Sequence, residues 1–178
     1  MAQYTAGTWQ IDPTHTEIGF TVRHLMSKVR GKFEKFDAQI VTAENPAESK
    51  ATAQIHLDSI NTGTPDRDNH LRSSDFFSVE EHPVMTFTAT GVRENGDDGY
   101  VATGDLTIKE VSKPVELNVE FLGEGGDPWG GTRIGVEGTT EISRKAFGID
   151  FNVPLDGGKV MIGDKISVNI AGEFVLQS

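Results

Sequence analysis

Apolar and polar residues alternate along most of this chain. Ile18, Phe20 and Val22 share one parity, while Gly19 and Thr21 take the other. A period of two is typical of β-strands that bury one face and expose the other. The alternation predicts about eight or nine strands, within residues 8–12, 15–24, 28–42, 51–58, 84–91, 100–109, 114–122, 134–142 and 165–176. We expect strands joined by short connections to run antiparallel.

The segment 28–42 changes phase in its middle. Its apolar residues share one parity up to Phe33 and the opposite parity from Phe36 onward. The slip therefore falls at Glu34 and Lys35. An extra residue in one strand of a pair produces such a slip, so the pattern predicts a β-bulge that bends a long strand.

Strand length decides between the two architectures that such strands can form. Several predicted strands approach ten residues, or about 33 Å, whereas a typical strand has about 5–6 residues. We therefore predict an all-β fold, an elongated eight-stranded antiparallel β-barrel, in preference to a two-sheet sandwich. Its inner wall would include several small residues, which either leave space for a slender ligand or only relieve crowding. These residues are Gly31, Ala51, Ala53, Ala89, Gly91 and Gly138.

Residues 64–83 interrupt the strand pattern with helix signals. Thr64 is a suitable N-cap, Pro65 suits the first helical position, and Asp68 favours the positive end of the helix dipole. We expect a short helical insert around residues 65–80, with a second turn starting at Ser74. Its apolar side chains are too hydrophobic for a solvated loop, so they should cover one end of the barrel as a lid or plug. They are Leu71, Phe76 and Phe77.

Two further connections are predicted from turn-forming residues. Residues 110–113 should join the strands 100–109 and 114–122. Residues 123–131 are rich in glycine and predict a long loop that carries an isolated Trp129.

Charge and composition exclude several kinds of partner. The net charge of −11 and the pI near 4.8 argue against binding to nucleic acid or to an anionic membrane surface. The chain has no cysteine, which excludes disulfides and thiolate chemistry. No apolar run approaches the ~20 residues that a transmembrane helix needs. We expect residues 1–178 to form a single domain.

The start of the chain bears on localisation. It has no basic region followed by an apolar run, which a secretory signal peptide would require. The protein is therefore expected in the cytoplasm as the sequence stands. A periplasmic or secreted location is expected if a signal peptide has been removed.

The histidines do not form a recognisable metal or catalytic motif. His15 and His24 would lie at opposite ends of one strand, roughly 30 Å apart, and the other three are scattered. We therefore expect no metal site. No arrangement of serine or cysteine with histidine and an acid can be recognised either, so we predict that the protein is not an enzyme.

A few charged residues are candidates for a polar clamp. Arg67, Asp68 and His70 lie beside the apolar residues of the insert. They could meet a ligand head group or close the barrel mouth. Alternatively, they could form a hydrogen-bonded set that fixes the insert to the strands carrying Asp12 and His15. Arg144 is a further candidate for binding an anionic head group.

Several motifs of this chain resemble motifs of the bacterial YceI-like family of polyisoprenoid-binding proteins, and they occur in the same order along the sequence. They are WQIDPTHTEIGFTVRHL, GKFEKFDAQI, RDNHLRSSDFF, HPVMTFTAT, GDLTIKEVSKPVEL, RKAFGID and MIGDKISVNIAGEF. The resemblance implies a lipocalin-like barrel whose apolar pore holds a long isoprenoid or similar lipid, often in a homodimer. One departure is Glu110, where family members commonly carry a glycine. Many members are exported.

These observations predict non-enzymatic binding, transport or storage of a long apolar chain, without a cofactor. The chain could be a polyisoprenoid, an isoprenoid quinone, a polyprenyl phosphate or a fatty acyl derivative such as an amide. Strand parity predicts that the pore is lined by Phe20, Val22, Ile40, Ile55, Leu57, Phe87, Leu106, Leu117, Val119, Val136 and Ile170, with Leu71, Phe76 and Phe77 near one end.

Two alternatives remain at this point. The protein could be an enzyme that uses His15, Asp68 and His70 as acid–base groups in the same cavity. It could also be a structural or stress-related interaction protein with a filled core.

Overall fold

The strands form one antiparallel sheet that closes on itself. The computed structural model describes residues 4–155, 157 and 160–178. The strands are β1 (Gly7–Ile11), β2 (Glu17–His24), β3 (Ser27–Phe33), β4 (Phe36–Thr42), β5 (Lys50–His56), β6 (Ile60–Asn61), β7 (Val84–Glu94), β8 (Gly99–Ile108), β9 (Val111–Gly126), β10 (Thr132–Ser143) and β11 (Ile162–Leu176). Helix α1 spans Pro65–Arg72, and short 3₁₀ turns occupy Pro13–His15, Pro46–Glu48, Leu57–Ser59 and Lys145–Phe147.

Strand β11 closes the barrel. Its last residues pair with β1, where Phe174 lies opposite Ile11, and its middle pairs with β2, where Ile170 lies opposite Ile18. The 3₁₀ turn between β1 and β2 therefore interrupts what is effectively one barrel strand. The pairs β3 with β4 and β5 with β6 are interrupted in the same way. With β7 to β11 this gives eight barrel strands, which confirms the predicted eight-stranded antiparallel barrel.

The phase slip at Glu34 and Lys35 is a break between two strands and not a one-residue bulge. The backbone N–H groups of both residues donate to the Ser59 hydroxyl, at 3.1 and 3.0 Å. The Lys35 carbonyl accepts from the His56 amide. The strand can break here because Ser59, from a distant part of the chain, supplies the partners that the sheet lacks at these two residues.

The helical insert is shorter than predicted. Thr64 is the N-cap residue of α1, but its side chain makes no capping bond. The buried Asp68 carboxylate instead accepts from the Thr62 amide at 2.9 Å and from the Thr62 hydroxyl at 2.5 Å. The helix ends at Arg72, and turns replace the second helical turn expected from Ser74.

Two connections differ from the predictions. Lys109 and Glu110 both have positive φ, 52° and 69°, so they form a two-residue hairpin turn and β9 starts at Val111. Strand β9 also continues to Gly126, inside the predicted glycine-rich loop. The remaining loop is short because the Asp127 carboxylate accepts from the amides of Trp129 and Gly131. No helix among the described residues is long and apolar enough to cross a membrane.

Candidate ligand cavity

The two ends of the barrel are built differently. At end A lie the β4–β5, β7–β8 and β9–β10 connections, together with the start of β1 and the end of β11. At end B lie the β2–β3 and β8–β9 turns, the insert 62–83 and the β10–β11 connection. Because neighbouring strands are antiparallel, connections at one end of the barrel alternate with connections at the other.

The half of the barrel toward end A encloses a cavity of about 200 Å³. Almost all of the surface that faces this cavity is apolar. Several residues predicted from strand parity to line the pore surround it: Ile40, Phe87, Leu117, Val119, Val136 and Ile170. Their inward direction follows from the strand period, and their role in ligand binding stays a prediction.

Small side chains keep this cavity open. Ala51, Ala53 and Gly138 line it, as do Ala38 and Ala102. These residues leave space where larger residues would meet across the barrel.

Other small residues on the inner wall have different surroundings. Gly31 accommodates the ring of Phe20, because a Cβ atom at Gly31 would lie 2.4 Å from that ring. Ala89 and Gly91 line neither this cavity nor the one described next. The cavity thus accounts for Ala51, Ala53 and Gly138, and crowding by Phe20 accounts for Gly31, while neither explanation covers Ala89 and Gly91.

A second apolar cavity, of about 130 Å³, occupies the half toward end B. Phe20 and Val22 contribute to its wall, and the insert covers it with Leu71, Phe76 and Phe77. The β10–β11 connection contributes Phe147, which is 2% exposed and packs with Phe76. The insert thus lies over end B as a lid.

Three predicted pore residues line neither cavity. Ile55 and Leu57 are 6% and 0% exposed and pack in a cluster with Ile60. Leu57 lies in a 3₁₀ turn beyond β5, where its amide donates to the Pro83 carbonyl. Leu106 packs against the cluster around Phe147. The prediction that these three residues line an open pore is wrong in this structure. Strand parity predicts which face of the sheet a side chain occupies, but not whether other side chains fill the space next to it.

Arg144 is buried and bound to backbone. Its guanidinium donates to the carbonyls of Gly163, Ile149, Phe151 and Ile162 at 2.8–3.2 Å. Burial lowers the pKa of Arg144, although Asp164 and Asp150 oppose this shift. Arg144 touches the smaller cavity, but its observed bonds hold the β10–β11 connection against the barrel. They support a structural role in place of the predicted head-group contact.

The charged residues of the insert also bond locally. Arg67 donates to the hydroxyl and the carbonyl of Thr62, each at 2.7 Å, and Asp68 accepts from the same residue. The His70 ring lies 2.8 Å from the Asp75 carboxylate, and its edge meets the ring of Phe76. None of Arg67, Asp68 and His70 lines either cavity, so the predicted clamp is not formed around them.

Asp12 and His15 belong to a different cluster. Arg133 donates to Asp12 at 2.6 Å, to Asp127 at 2.7 Å and to Glu173 at 3.1 Å. Hydrogen bonds from Arg133, His15 and Thr14 hold the pKa of Asp12 well below its usual range. The cluster joins the β1–β2 break to β10 and β11. Arg67 and Asp68 do form a local hydrogen-bonded set, with Thr62. The alternative in which this set fixes the insert to the strands carrying Asp12 and His15 is wrong, because Asp12 bonds to Thr14, His15 and Arg133 instead.

Ligand atoms of Asp12, His15 and Glu173 lie within 4.8 Å of one another, which is suitable spacing for a metal. Sequence reasoning missed this grouping because 158 residues separate His15 from Glu173. Both carboxylates already accept from the Arg133 cation. A metal ion bound here would either displace the Arg133 guanidinium or be repelled by its positive charge. The arrangement therefore fits an ion-pair network better than a metal centre.

Comparison with known proteins agrees with this geometry. Residues 9–174 match the family model described as a YceI-like domain. A UPF0312 protein of Photorhabdus laumondii is 42% identical over 171 residues, which cover 94% of this chain and 86% of the relative.

Two solved structures share the fold. BcnA of Burkholderia cenocepacia has a TM-score of 0.79 at 22% identity, covering 92% of this chain and 98% of that one. A polyisoprenoid-binding domain from Saccharophagus degradans, implicated in plant cell wall breakdown, has a TM-score of 0.70 at 17% identity, with coverage of 97% and 100%. These two structures share the fold, while the family model and the 42% identical relative show that the chain belongs to the YceI-like family.

Proposed function

We propose that this protein binds a long apolar chain inside its barrel and carries or stores that chain without transforming it. The observation behind the proposal is the pair of apolar cavities within one barrel, with Ile18 in the wall of both. A chain-like ligand could run from one cavity to the other past this side chain. The polyisoprenoid-binding domain from Saccharophagus degradans, with the same fold, supports this ligand class.

The cavity sizes are sufficient for a hydrocarbon. An apolar cavity of about 150 Å³ in another protein binds benzene, and the cavities here measure about 200 and 130 Å³. Removing apolar surface from water contributes about 25 cal/mol per Å², before the cost of ordering the ligand. A polyisoprenoid, an isoprenoid quinone or a fatty acyl derivative would supply such surface along its whole length.

The positions of the acid–base candidates favour a carrier over an enzyme. His15 is half exposed in the Arg133 cluster, Asp68 is bonded to Thr62, and His70 is paired with Asp75. None of the three lines either cavity. An acid–base site needs such groups within hydrogen-bond reach of a bound substrate.

Extraction of lipid from the purified protein tests this proposal. We expect mass spectrometry of the organic extract to show a long-chain lipid, absent from a mock purification of cells without the protein. Preparations that are repeatedly empty, and that take up no prenyl chain offered in excess, would contradict it.

We further propose that the protein forms a homodimer, as the family resemblance implies. Light scattering after size-exclusion chromatography should give about twice the chain mass of 19.3 kDa. A mass equal to one chain at all concentrations would rule the dimer out.

A further inference from the structure

One polar atom inside the barrel has no partner. Tyr100 is the first inward-facing residue of β8 after the β7–β8 turn, and it is 7% exposed. Its side chain lines the larger cavity near end A. Among the described residues, its hydroxyl is the one buried side-chain polar atom that makes no hydrogen bond.

Three other hydroxyl groups of residues that line this cavity are already bonded. The Tyr4 hydroxyl, at the same cavity, donates to the Ala43 carbonyl at 2.6 Å. The Thr42 hydroxyl accepts from Trp9 and Gly7, and the Ser49 hydroxyl accepts from the Ala43 amide. Burying a hydroxyl without a partner destabilises a protein. A phenylalanine at this position would avoid that cost, so the hydroxyl points to a use in binding.

The charge state of Tyr100 defines what it can bind. Burial raises the pKa of Tyr100, and Tyr4, Glu94 and Asp98 raise it further. The phenol therefore remains protonated at neutral pH and can donate a hydrogen bond. The same acidic neighbours disfavour an anion beside it. The charged residues in the lining of the cavity, Lys50 and Glu137, are exposed and opposite in sign.

We propose that the Tyr100 hydroxyl donates a hydrogen bond to an uncharged carbonyl oxygen of the ligand. This inference rests on the proposed function and narrows its ligand class to a long apolar chain that bears a carbonyl group, as in a quinone, an ester or an amide. It disfavours a phosphate at this position. It also sets the direction of the ligand, with the carbonyl toward end A and the chain toward end B.

A matched pair of ligands isolates this hydrogen bond. Nonadecan-2-one and nonadecane differ by one carbonyl oxygen, and both can displace the neutral fluorescent probe N-phenyl-1-naphthylamine from delipidated protein. We expect the affinity of the ketone relative to the alkane to be about threefold to tenfold higher in the wild type than in Tyr100→Phe. The control, Thr103→Val, removes a hydroxyl from the opposite face of β8 and should keep the wild-type ratio.

The outcomes separate this inference from the proposed function. An equal ketone-to-alkane ratio in the wild type and Tyr100→Phe, with both ligands bound, overturns the role of Tyr100 but leaves the carrier function standing. Displacement by neither ligand overturns the carrier function itself. A Tyr100→Phe protein that fails to fold would show that the hydroxyl has a structural partner, and this also overturns the inference.

Discussion

Ala38 on β4 lies directly opposite Ala53 on β5, and both side chains line the larger cavity. Two methyl groups therefore meet inside a barrel whose interior larger side chains could fill. Next to this pair, Ala51 lies opposite Ile40 and also faces the cavity. The space for a ligand thus depends on the small residues of two neighbouring strands.

Filling this space should block binding without unfolding the barrel. We expect Ala53→Phe to abolish retention of lipid while costing about 1–3 kcal/mol of unfolding free energy, because its ring can enter the cavity. The comparison is Ala89→Phe, at a position without such space. Ala89 is 4% exposed and lines neither cavity.

Urea denaturation and mass spectrometry of bound lipid measure the two effects. Ala89→Phe should fail to fold, or lose clearly more stability than Ala53→Phe. Equal stability losses for the two substitutions would show that the cavity at Ala53 is not available to a side chain.

The backbone of the hairpin turn between β8 and β9 is strained at a residue where glycine would relieve the strain. Glu110 has a φ of 69°, in the left-handed region that glycine adopts more readily than other residues. We expect Glu110→Gly to raise the free energy of unfolding by about 0.5–1 kcal/mol, since relief of strain outweighs the added freedom of the unfolded chain. Glu120→Gly, within β9, is the control and should destabilise. A loss of stability in Glu110→Gly would contradict the turn assignment.

The Arg133 cluster predicts a specific acid sensitivity. The folded protein holds the pKa of Asp12 below the ordinary value of 3.8. A carboxyl group of this kind contributes stability above its unfolded pKa, and that contribution is lost as pH falls toward its folded pKa. As the pH falls from about 5 to about 3, the free energy of unfolding should therefore decrease in both proteins. The decrease should be roughly 1 kcal/mol smaller in Asp12→Asn than in the wild type.

Urea denaturation across this pH range checks the effect. The exposed Asp105, on the outer face of β8, supplies the control variant Asp105→Asn. If Asp12→Asn and the wild type lose stability in parallel, Asp12 is not ion-paired in the folded protein.

Substituting Arg144 should lower the free energy of unfolding more than it changes which lipid the protein binds. Arg144→Met removes a donor from four backbone carbonyls, of which that of Ile162 keeps a bond from the Asn152 side-chain amide. We expect the substitution to cost about 2–4 kcal/mol of unfolding free energy. Arg30→Met, at an exposed position of β3, should change stability by less than about 0.5 kcal/mol. A stable Arg144→Met protein with altered lipid content would instead restore the head-group role.

The sequence predicted those parts of the fold that depend on local periodicity. The alternation at Ile18, Phe20 and Val22 was enough to orient β2, and strand length favoured a barrel. The turn at Lys109 and Glu110 was placed wrongly, because two non-glycine residues with positive φ leave no glycine signal. The Asp127 loop was predicted too long, because a side-chain carboxylate replaced the backbone bonds of a regular turn.

The site was predictable only in part, for a similar reason. Parity identified the inner face, but whether Leu57 packs or lines a cavity depends on Ile60 and other residues that fold against it. The Arg133 cluster was missed because 121 residues separate Arg133 from Asp12. The sequence does not predict that the Tyr100 hydroxyl lacks a partner, because this depends on the positions of donors and acceptors from several strands.

Native mass spectrometry of delipidated protein mixed with a long prenyl chain tests the central claim most directly. We expect one chain bound per protein molecule in the wild type and none in Ala53→Phe. Wild-type protein that stays at its unliganded mass with the prenyl chain in excess, or equal binding by both proteins, would contradict the account of a ligand inside the barrel.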